Sequence, residues 1–505
     1  MGAVRVTEST RRITRQELEA YLWGAAILLR GLIDAGDYKQ FIFPLLFLKR
    51  LSDVHDEEHA EAAALYGDQF ADLPESHRFV IPDSAHWHDV RATVSNVGAK
   101  ILLAMRSIEA ANPDTLYGVF SDGDWGNKDF LPDATLRDLV EHFSTETLSL
   151  ANLPEDELGN GYEFLIKKFA DDSGHTAQEF YTNRTLVHLM SLMLKPQPGE
   201  SVYDPTCGTG GMLISTVAQL KEQGKEWRSL RLFGQELNHG TSAIARMNLV
   251  LHGIDDVHIA GGLSTLSDPA FLDHSKLKTF DVVLANPPYS IKAWDRGLFT
   301  RDPFGRNMWG VPPQGRADYV FFQHIAKSLD PASGRAAILF PHGVLFRKEE
   351  QALRQRLIES DLLESVVGLG PGLFYNSPME AVIVTIRARK PVAHQRKVLF
   401  VNAVADYGRE QAQSFLRNTN QQRILSAYET WDEESGFTTV ATLEEIGARS
   451  WSLAIPLYVE AEAERAHQNA TPDVETAVAT WRTAASSVDD TIADVFPLLR
   501  HRAEQ

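Results

Sequence analysis

Two prolines, flanked by an amide and an aromatic ring, stand at Asn286-Pro287-Pro288-Tyr289. Each proline fixes its own φ and removes a backbone donor, and the second also restricts the first. The result is a stiff turn that shows carbonyl oxygens and no competing N–H groups. Such a turn suits a flat molecule carrying an exocyclic amino group. A second signal is Asp204-Pro205-Thr206-Cys207-Gly208-Thr209-Gly210-Gly211. Its glycines let a backbone approach a ligand closely. The loop lacks the Gly-Lys-Ser/Thr of a phosphate-binding loop and the full dinucleotide fingerprint. The acid that leads it suits a ligand with positive charge or hydroxyl and amino donors. A third signal is Gln235-Glu236-Leu237-Asn238. An acid roughly 20–30 residues past a glycine-rich loop is placed to hold ribose hydroxyls.

These three segments need strand ends to position them. Apolar runs at 201–203, 231–234, 280–285, 335–340, 363–368 and 381–386 read as strands, with helices fitting at 211–222, 240–252 and 317–329. Alternation of that kind argues for a mostly parallel, doubly wound α/β sheet. Ahead of it, residues 10 to about 150 read as helices. Leu18, Tyr21, Leu22, Ala25, Leu28, Leu29 and Leu32 recur at helical spacing over 17–32. A second helix covers 38–54, where Pro44 predicts a kink or break. A loop region follows at 111–128, then a helix at 134–143. Past residue 395 we expect a strand at 398–401, helical pieces, and a helical tail over roughly 459–496. The expected domains are 1–155 helical, 160–395 catalytic, and 396–505 with a partner-docking tail.

The bulk numbers set limits. A chain of 505 residues should hold two or three domains. Its net charge of −19 means that any DNA contact is confined to a local basic cleft or carried by a partner. No apolar run reaches the ~18–20 residues of a membrane span. The N-terminus is polar, and the single cysteine, Cys207, suits a reducing cytoplasm.

In their order along the chain, the glycine loop after the 201–203 run, the acid after the 231–234 run and Asn-Pro-Pro-Tyr after the 280–285 run resemble the S-adenosylmethionine-dependent DNA amino-methyltransferases. The resemblance covers most of the chain. Leu22-Trp23-Gly24, Tyr38-Lys39 and Phe47-Leu48-Lys49-Arg50-Leu51-Ser52-Asp53 look like the helical N-terminal domain of type I restriction-modification methylase subunits. Glu179-Phe180-Tyr181-Thr182, the stretch from Gly334 to Gly343 and Gly372-Leu373-Phe374-Tyr375 look like further motifs of that family.

The resemblance implies a Rossmann-like methyltransferase core with a helical N-terminal domain and a helical tail. It implies that Asp204, Thr206, Gly208, Thr209, Gly210 and Gly211 shape the pocket for the methionine part of S-adenosylmethionine. Phe180, Tyr181 and Thr182 would close over it, and Glu236 would hold its ribose. Asn286, Pro287 and Pro288 would present acceptors to the target amino group, with Tyr289, and Phe374 opposite, stacking on a flipped base. The family's third cofactor motif carries Asp or Asn; here Ser264 stands near that place. The family's proline after Phe-Tyr-Thr is Asn183. The implied activity is N6-methylation of adenine in double-stranded DNA. The implied partners are a specificity subunit, with two methylase copies per specificity subunit, and a restriction subunit. Three other readings share the motifs: a self-sufficient type II methylase, a protein-glutamine N5-methyltransferase and a non-catalytic scaffold.

Other clusters were weighed against bland roles. His55-Asp56-Glu57-Glu58-His59 is similar to a zinc motif, but Asp56 replaces the catalytic glutamate and no third ligand is near in sequence; we read a solvated helix face and no metal. His86-Trp87-His88 reads as a surface loop, and Cys207 as a small packing residue. Lys292, Arg296, Arg301, Arg306 and Arg316 alternate with Trp294, Phe299, Phe304 and Trp309, a mixture suited to phosphates and unstacked bases.

Overall fold

The computed structural model describes residues 11–120, 123–172, 182–373, 380–410 and 413–459. Five long helices form an N-terminal layer: α1 (Arg15–Leu29), α2 (Lys39–Tyr66), α3 (Val97–Ala111), α4 (Asp133–Phe143) and α5 (Glu155–Asp172). A capping box opens α1: Thr14 Oγ accepts the Glu17 N–H at 3.3 Å, and the Glu17 carboxylate accepts the Thr14 N–H at 2.9 Å. The helix stops at Leu29, short of the expected 32, because Gly31 turns to φ +83° and leaves Leu32 exposed.

Pro44 does not end its helix. It lies in the second turn of α2, where it forfeits one bond, to the Gln40 carbonyl. Burying Phe41, Ile42, Phe43, Leu45 and Leu46, at about 1.5–3 kcal/mol each, outweighs the ~3 kcal/mol that an interior proline costs. The family-like stretch that follows is also structural. Arg50 is buried and donates to the carbonyls of Leu148, Ser149 and Leu153 at 2.5–2.9 Å. Nor is His86-Trp87-His88 a surface loop: Trp87 is buried, its N–H donates to Ser52 Oγ at 2.8 Å and its indole to Ser144 Oγ at 2.9 Å. Only His88 faces solvent.

The second half of the chain builds one sheet from β1 (Ser201–Asp204), β2 (Arg231–Glu236), β3 (Val257–Gly261), β4 (Val282–Ala285), β5 (Arg335–Pro341), β6 (Leu363–Leu369), β7 (Ala381–Arg387), β8 (Lys397–Ala403) and β9 (Thr438–Thr442). Their order is β9-β8-β6-β7-β5-β4-β1-β2-β3. The first five run parallel, β7 lies antiparallel between β5 and β6, and β9 lies antiparallel on β8. Two strands, β3 and β9, were not anticipated. Side chains alternate between two cores. Val202, Val282 and Leu284 face α6 (Arg184–Leu194) and α7 (Gly211–Glu222), whereas Tyr203, Val283 and Ala285 face α9 (Asp318–Lys327) across the sheet.

The helical layer rests on α8 (His239–Leu251), whose Ile244, Met247, Val250 and Leu251 join its core. That core continues past residue 155 through Leu158, Tyr162 and Phe169, so α5 packs with the N-terminal helices. Likewise β8 and β9, from the region beyond 395, belong to the common sheet. The expected tail helix lies, past Val459, outside the described residues. No helix among the described residues is long and apolar enough to cross a membrane.

Topology positions the site. Strand order reverses between β1 and β4, so the loops leaving β1, β2 and β4 share one crevice at the carboxyl edge, where doubly wound sheets bind ligands.

Candidate active site

That crevice is a cavity of about 1000 Å³. Asp204, Thr206, Gly208, Thr209 and Gly211, then Glu236, Ser264, and Asn286 with Pro287 and Pro288 all line it, as does Thr182. Sequence-separated candidates therefore meet in one place. Gly210 is the N-cap of α7, and its φ of +82° favours glycine. Gly208 takes φ +53°, and a Cβ there would meet nothing within 4 Å, so the loop leaves open space on the cavity side. Phe180, Tyr181 and Phe374 lie outside the described residues.

The wall built by the loops after β1 and β2 is held by the backbone. The Gly208 N–H donates to Glu236 Oε2 at 3.1 Å and the Asn238 N–H to Oε1 at 2.9 Å. The Cys207 N–H donates to the Gln235 carbonyl at 2.9 Å. Cys207 itself is buried against Gly234, where a Cβ would come within 2.9 Å of its sulfur, and burial pushes its thiol well up. It is packing, as expected. Asn248 ties the loop to the helical layer, bonding the Thr209 carbonyl at 2.9 Å and Glu163 on α5 at 2.6 Å.

Asp204 is different. Its described bond is one N–H, from Thr206 at 3.0 Å. Burial, with the Glu236 charge beside it, pushes its carboxyl up to about 8. A buried acid held protonated next to open space lacks a cationic or donor-rich partner.

The Ser264 loop is braced by residues that sequence reasoning assigned elsewhere or missed. Arg306 was expected at DNA. It is instead buried, pairs with Asp302 at 2.6 Å, and donates to the carbonyls of Thr265 and Leu266 at 2.9 and 2.8 Å. Gln235, wholly buried, donates to the carbonyls of Leu263 and Asp268 at 3.1 and 3.0 Å. The Arg306–Asp302 spacing of four residues was the available signal. Phe299 and Trp309 are likewise buried, whereas Lys292, Arg296, Arg301 and Arg316 remain exposed. Phe43, Ile166 and Phe169 of the helical layer also line the cavity, a contribution no local pattern announces.

The wall that follows β4 is held by side chains. Asn286 Nδ2 donates to Thr182 Oγ1 at 2.9 Å, and the Tyr289 hydroxyl donates to Asn286 Oδ1 at 2.8 Å. Tyr289 is half-buried and packs against the core. The turn ends at Ser290, whose φ is +53° and whose N–H donates to buried Asp318 at 2.7 Å. Arg347 pairs with the other Asp318 oxygen at 2.6 Å. A non-glycine residue held at positive φ by a buried ion pair marks a turn whose shape is imposed.

Comparison with known proteins gives this arrangement a family. The N-6 DNA methylase family matches residues 154–467, and the HsdM N-terminal domain matches residues 18–143. The type I restriction enzyme MjaIX methylase subunit of Methanocaldococcus jannaschii is 28% identical over 487 residues, spanning 89% of this chain and 85% of its own. The MpnII methylase subunit of Mycoplasma pneumoniae is 26% identical, spanning 91% and 92%. The crystal structure of a type I restriction-modification methyltransferase subunit from Streptococcus thermophilus superposes with a TM-score of 0.77 at 28% identity, covering 89% of this chain and 100% of that one. A cavity at the β1/β4 switch point, roofed by a helical layer of the matching kind, thus belongs to a member of the N-6 DNA methylase family, in its type I restriction-modification branch.

Proposed function

We propose that this chain methylates the N6 of adenines flipped out of double-stranded DNA, drawing on S-adenosylmethionine bound in the β1–β2 half of the cavity. The observation that carries this reading is the convergence of Asp204, Glu236 and Asn286 on one crevice. The fit to the cofactor rests on the under-partnered Asp204 carboxyl and the open space at Gly208. When bound, S-adenosylmethionine supplies an electrophilic methyl group on sulfur. Asp204 would offer a carboxylate to its ammonium, Glu236 would hold its ribose hydroxyls, and Ser264 would meet its adenine.

Adenine N6 is a poor nucleophile because its lone pair is delocalised into the ring. Asn286 Oδ1 and the Pro287 carbonyl accept its two hydrogens, which localises the lone pair and aims it. The acceleration comes from alignment and fixed dipoles. Thr182, by accepting from Nδ2, keeps the amide oxygen turned toward the substrate. The incoming amino group displaces the Tyr289 hydroxyl from that oxygen. The Tyr289 ring, with Phe374, stacks on the flipped base.

The acidic chain leaves sequence reading to a specificity subunit, with two methylase copies per specificity subunit and a restriction subunit joining for cleavage. The tail beyond Val459 is our candidate for that docking. The lone cysteine suits a reducing cytoplasm. The test is to express the chain with and without its specificity subunit and map methylated adenines in the host genome. Marks that require both proteins support the reading. Marks made by this chain alone would show a self-sufficient methylase, and none under either condition would point to a protein substrate or a scaffold.

A further inference from the structure

We propose that His55, Asp56 and His86 form a binding site for one divalent transition-metal ion of zinc's class, in the helical layer. None of the three lines the methyl-transfer cavity. The two histidine-bearing segments that looked inert in the sequence are brought together by the fold. One ring nitrogen from each histidine and an Asp56 carboxylate oxygen all lie within 4.8 Å of one another.

The arrangement is built on rigid elements. His55 and Asp56 sit side by side on α2. His86 is the N-cap of a short helix, Trp87–Arg91, and the next residue is anchored twice: its N–H to Ser52 Oγ, three residues before His55 on α2, and its indole to Ser144. The approach of His86 to His55 is therefore fixed by packing.

The ring nitrogens supply the second argument. Nδ1 of His55 and Nδ1 of His86 are buried and have no hydrogen-bond partner. Buried polar atoms are seldom left so, because the desolvation is then uncompensated. His86 Nδ1 stands 3.6 Å from Asp56 Oδ1, beyond a normal hydrogen bond. Small adjustments of these side chains would close the set to the Zn–N and Zn–O lengths of roughly 2.0–2.2 Å. Two imidazoles and one carboxylate are a donor set for zinc and its neighbours, with water completing the shell. His77 supports the set from outside. Its ring stacks on His55 with centroids 3.8 Å apart and planes 7° from parallel, and its Nε2 is 2.7 Å from the Ala71 carbonyl. Outer partners of this kind hold a ligand ring in place.

The test uses the full chain, stripped with chelator and titrated with zinc chloride by calorimetry. We expect saturable one-to-one binding, weakened about tenfold or more by Asp56→Asn and by His86→Ala. Cobalt(II) in place of zinc should give visible absorption that either variant loses. Asp56 is exposed, so its variant tests the site without disturbing packing, and circular dichroism checks the fold of both. Absence of saturable binding, or an isotherm unchanged in Asp56→Asn, would overturn the proposal; the first would mean that Asp56 serves only to pair with a protonated His86. Neither result bears on methyl transfer.

Discussion

The two halves of the cavity are held in different ways. On the cofactor side, backbone N–H groups of Gly208 and Asn238 grip Glu236, and Arg306 and Gln235 pin loop carbonyls from beneath. On the side after β4, Asn286 Oδ1 accepts from the Tyr289 side-chain hydroxyl, which an incoming substrate amino group would have to displace under the proposed mechanism. A wall built on backbone bonds is preformed. A clamp built on side-chain bonds can exchange partners, as a flipped base requires. The exception on the first side is Asp204, whose buried carboxyl is pushed up to about 8 with one N–H, from Thr206, bonded to it.

The largest expected effect lies on the exchangeable side. Asn286→Ala should lower the methyl-transfer rate by about 10³-fold, the upper range for removing one preorganised group, while cofactor affinity measured by calorimetry changes little. An equal loss of both would mean that the two halves are not separable.

On the preformed side, Arg306→Met would leave Asp302 buried and unpaired. That should cost about 3–5 kcal/mol of stability in chemical denaturation. A change below about 1 kcal/mol, the range of exposed pairs, would show that Arg306 does not brace the Ser264 loop.

Asp204 sharpens the contrast through pH. Its folded carboxyl, at about 8, lies above the ordinary 3.8. The ligand-free fold thus holds a proton that the unfolded chain loses, and its stability falls as pH rises from about 4 to about 8. A bound ammonium favours the ionised form, so cofactor affinity should rise over the same window. Binding near pH 7 should release about one proton, read from calorimetry in buffers of different ionisation enthalpy. Asp204→Asn should abolish that release, weaken binding about tenfold or more, and raise the ligand-free melting temperature at pH 8. Binding that is independent of pH would contradict this role.

The smallest effect is expected from Tyr289→Phe. Under the proposed mechanism the hydroxyl gives up Asn286 Oδ1 to the substrate, so its loss should alter the rate by no more than about threefold, within the net worth of one hydrogen bond. Tyr289→Ala, which removes the stacking ring, should cost far more.

Much of this was legible in the chain because local chemistry and global position agree. Gly210 and Gly211 open the helix that follows β1, and Asn286 follows a run that is wholly buried. What was hidden depends on partners distant in sequence. Arg306 looked like a phosphate ligand among aromatics, but Asp302, Phe299 and Trp309 fold inward with it. Strands β3 and β9 went unseen because Val257–Gly261 and Thr438–Thr442 are each five residues long, only partly buried and without a continuous apolar run. The helix runs on through Pro44 without a break because tertiary burial overrides a local breaker. The roof of the cavity, from Phe43 to Phe169, exists only after the helical layer docks on α8.

The most direct test is single-turnover methyl transfer to DNA, with the specificity subunit present and nucleosides separated by mass spectrometry. The wild-type chain should produce N6-methyladenine and no methylcytosine, and Asn286→Ala should bind the cofactor yet form N6-methyladenine about 10³-fold more slowly. Methyladenine formed at a normal rate by Asn286→Ala, or methyl groups appearing on cytosine, would contradict the account.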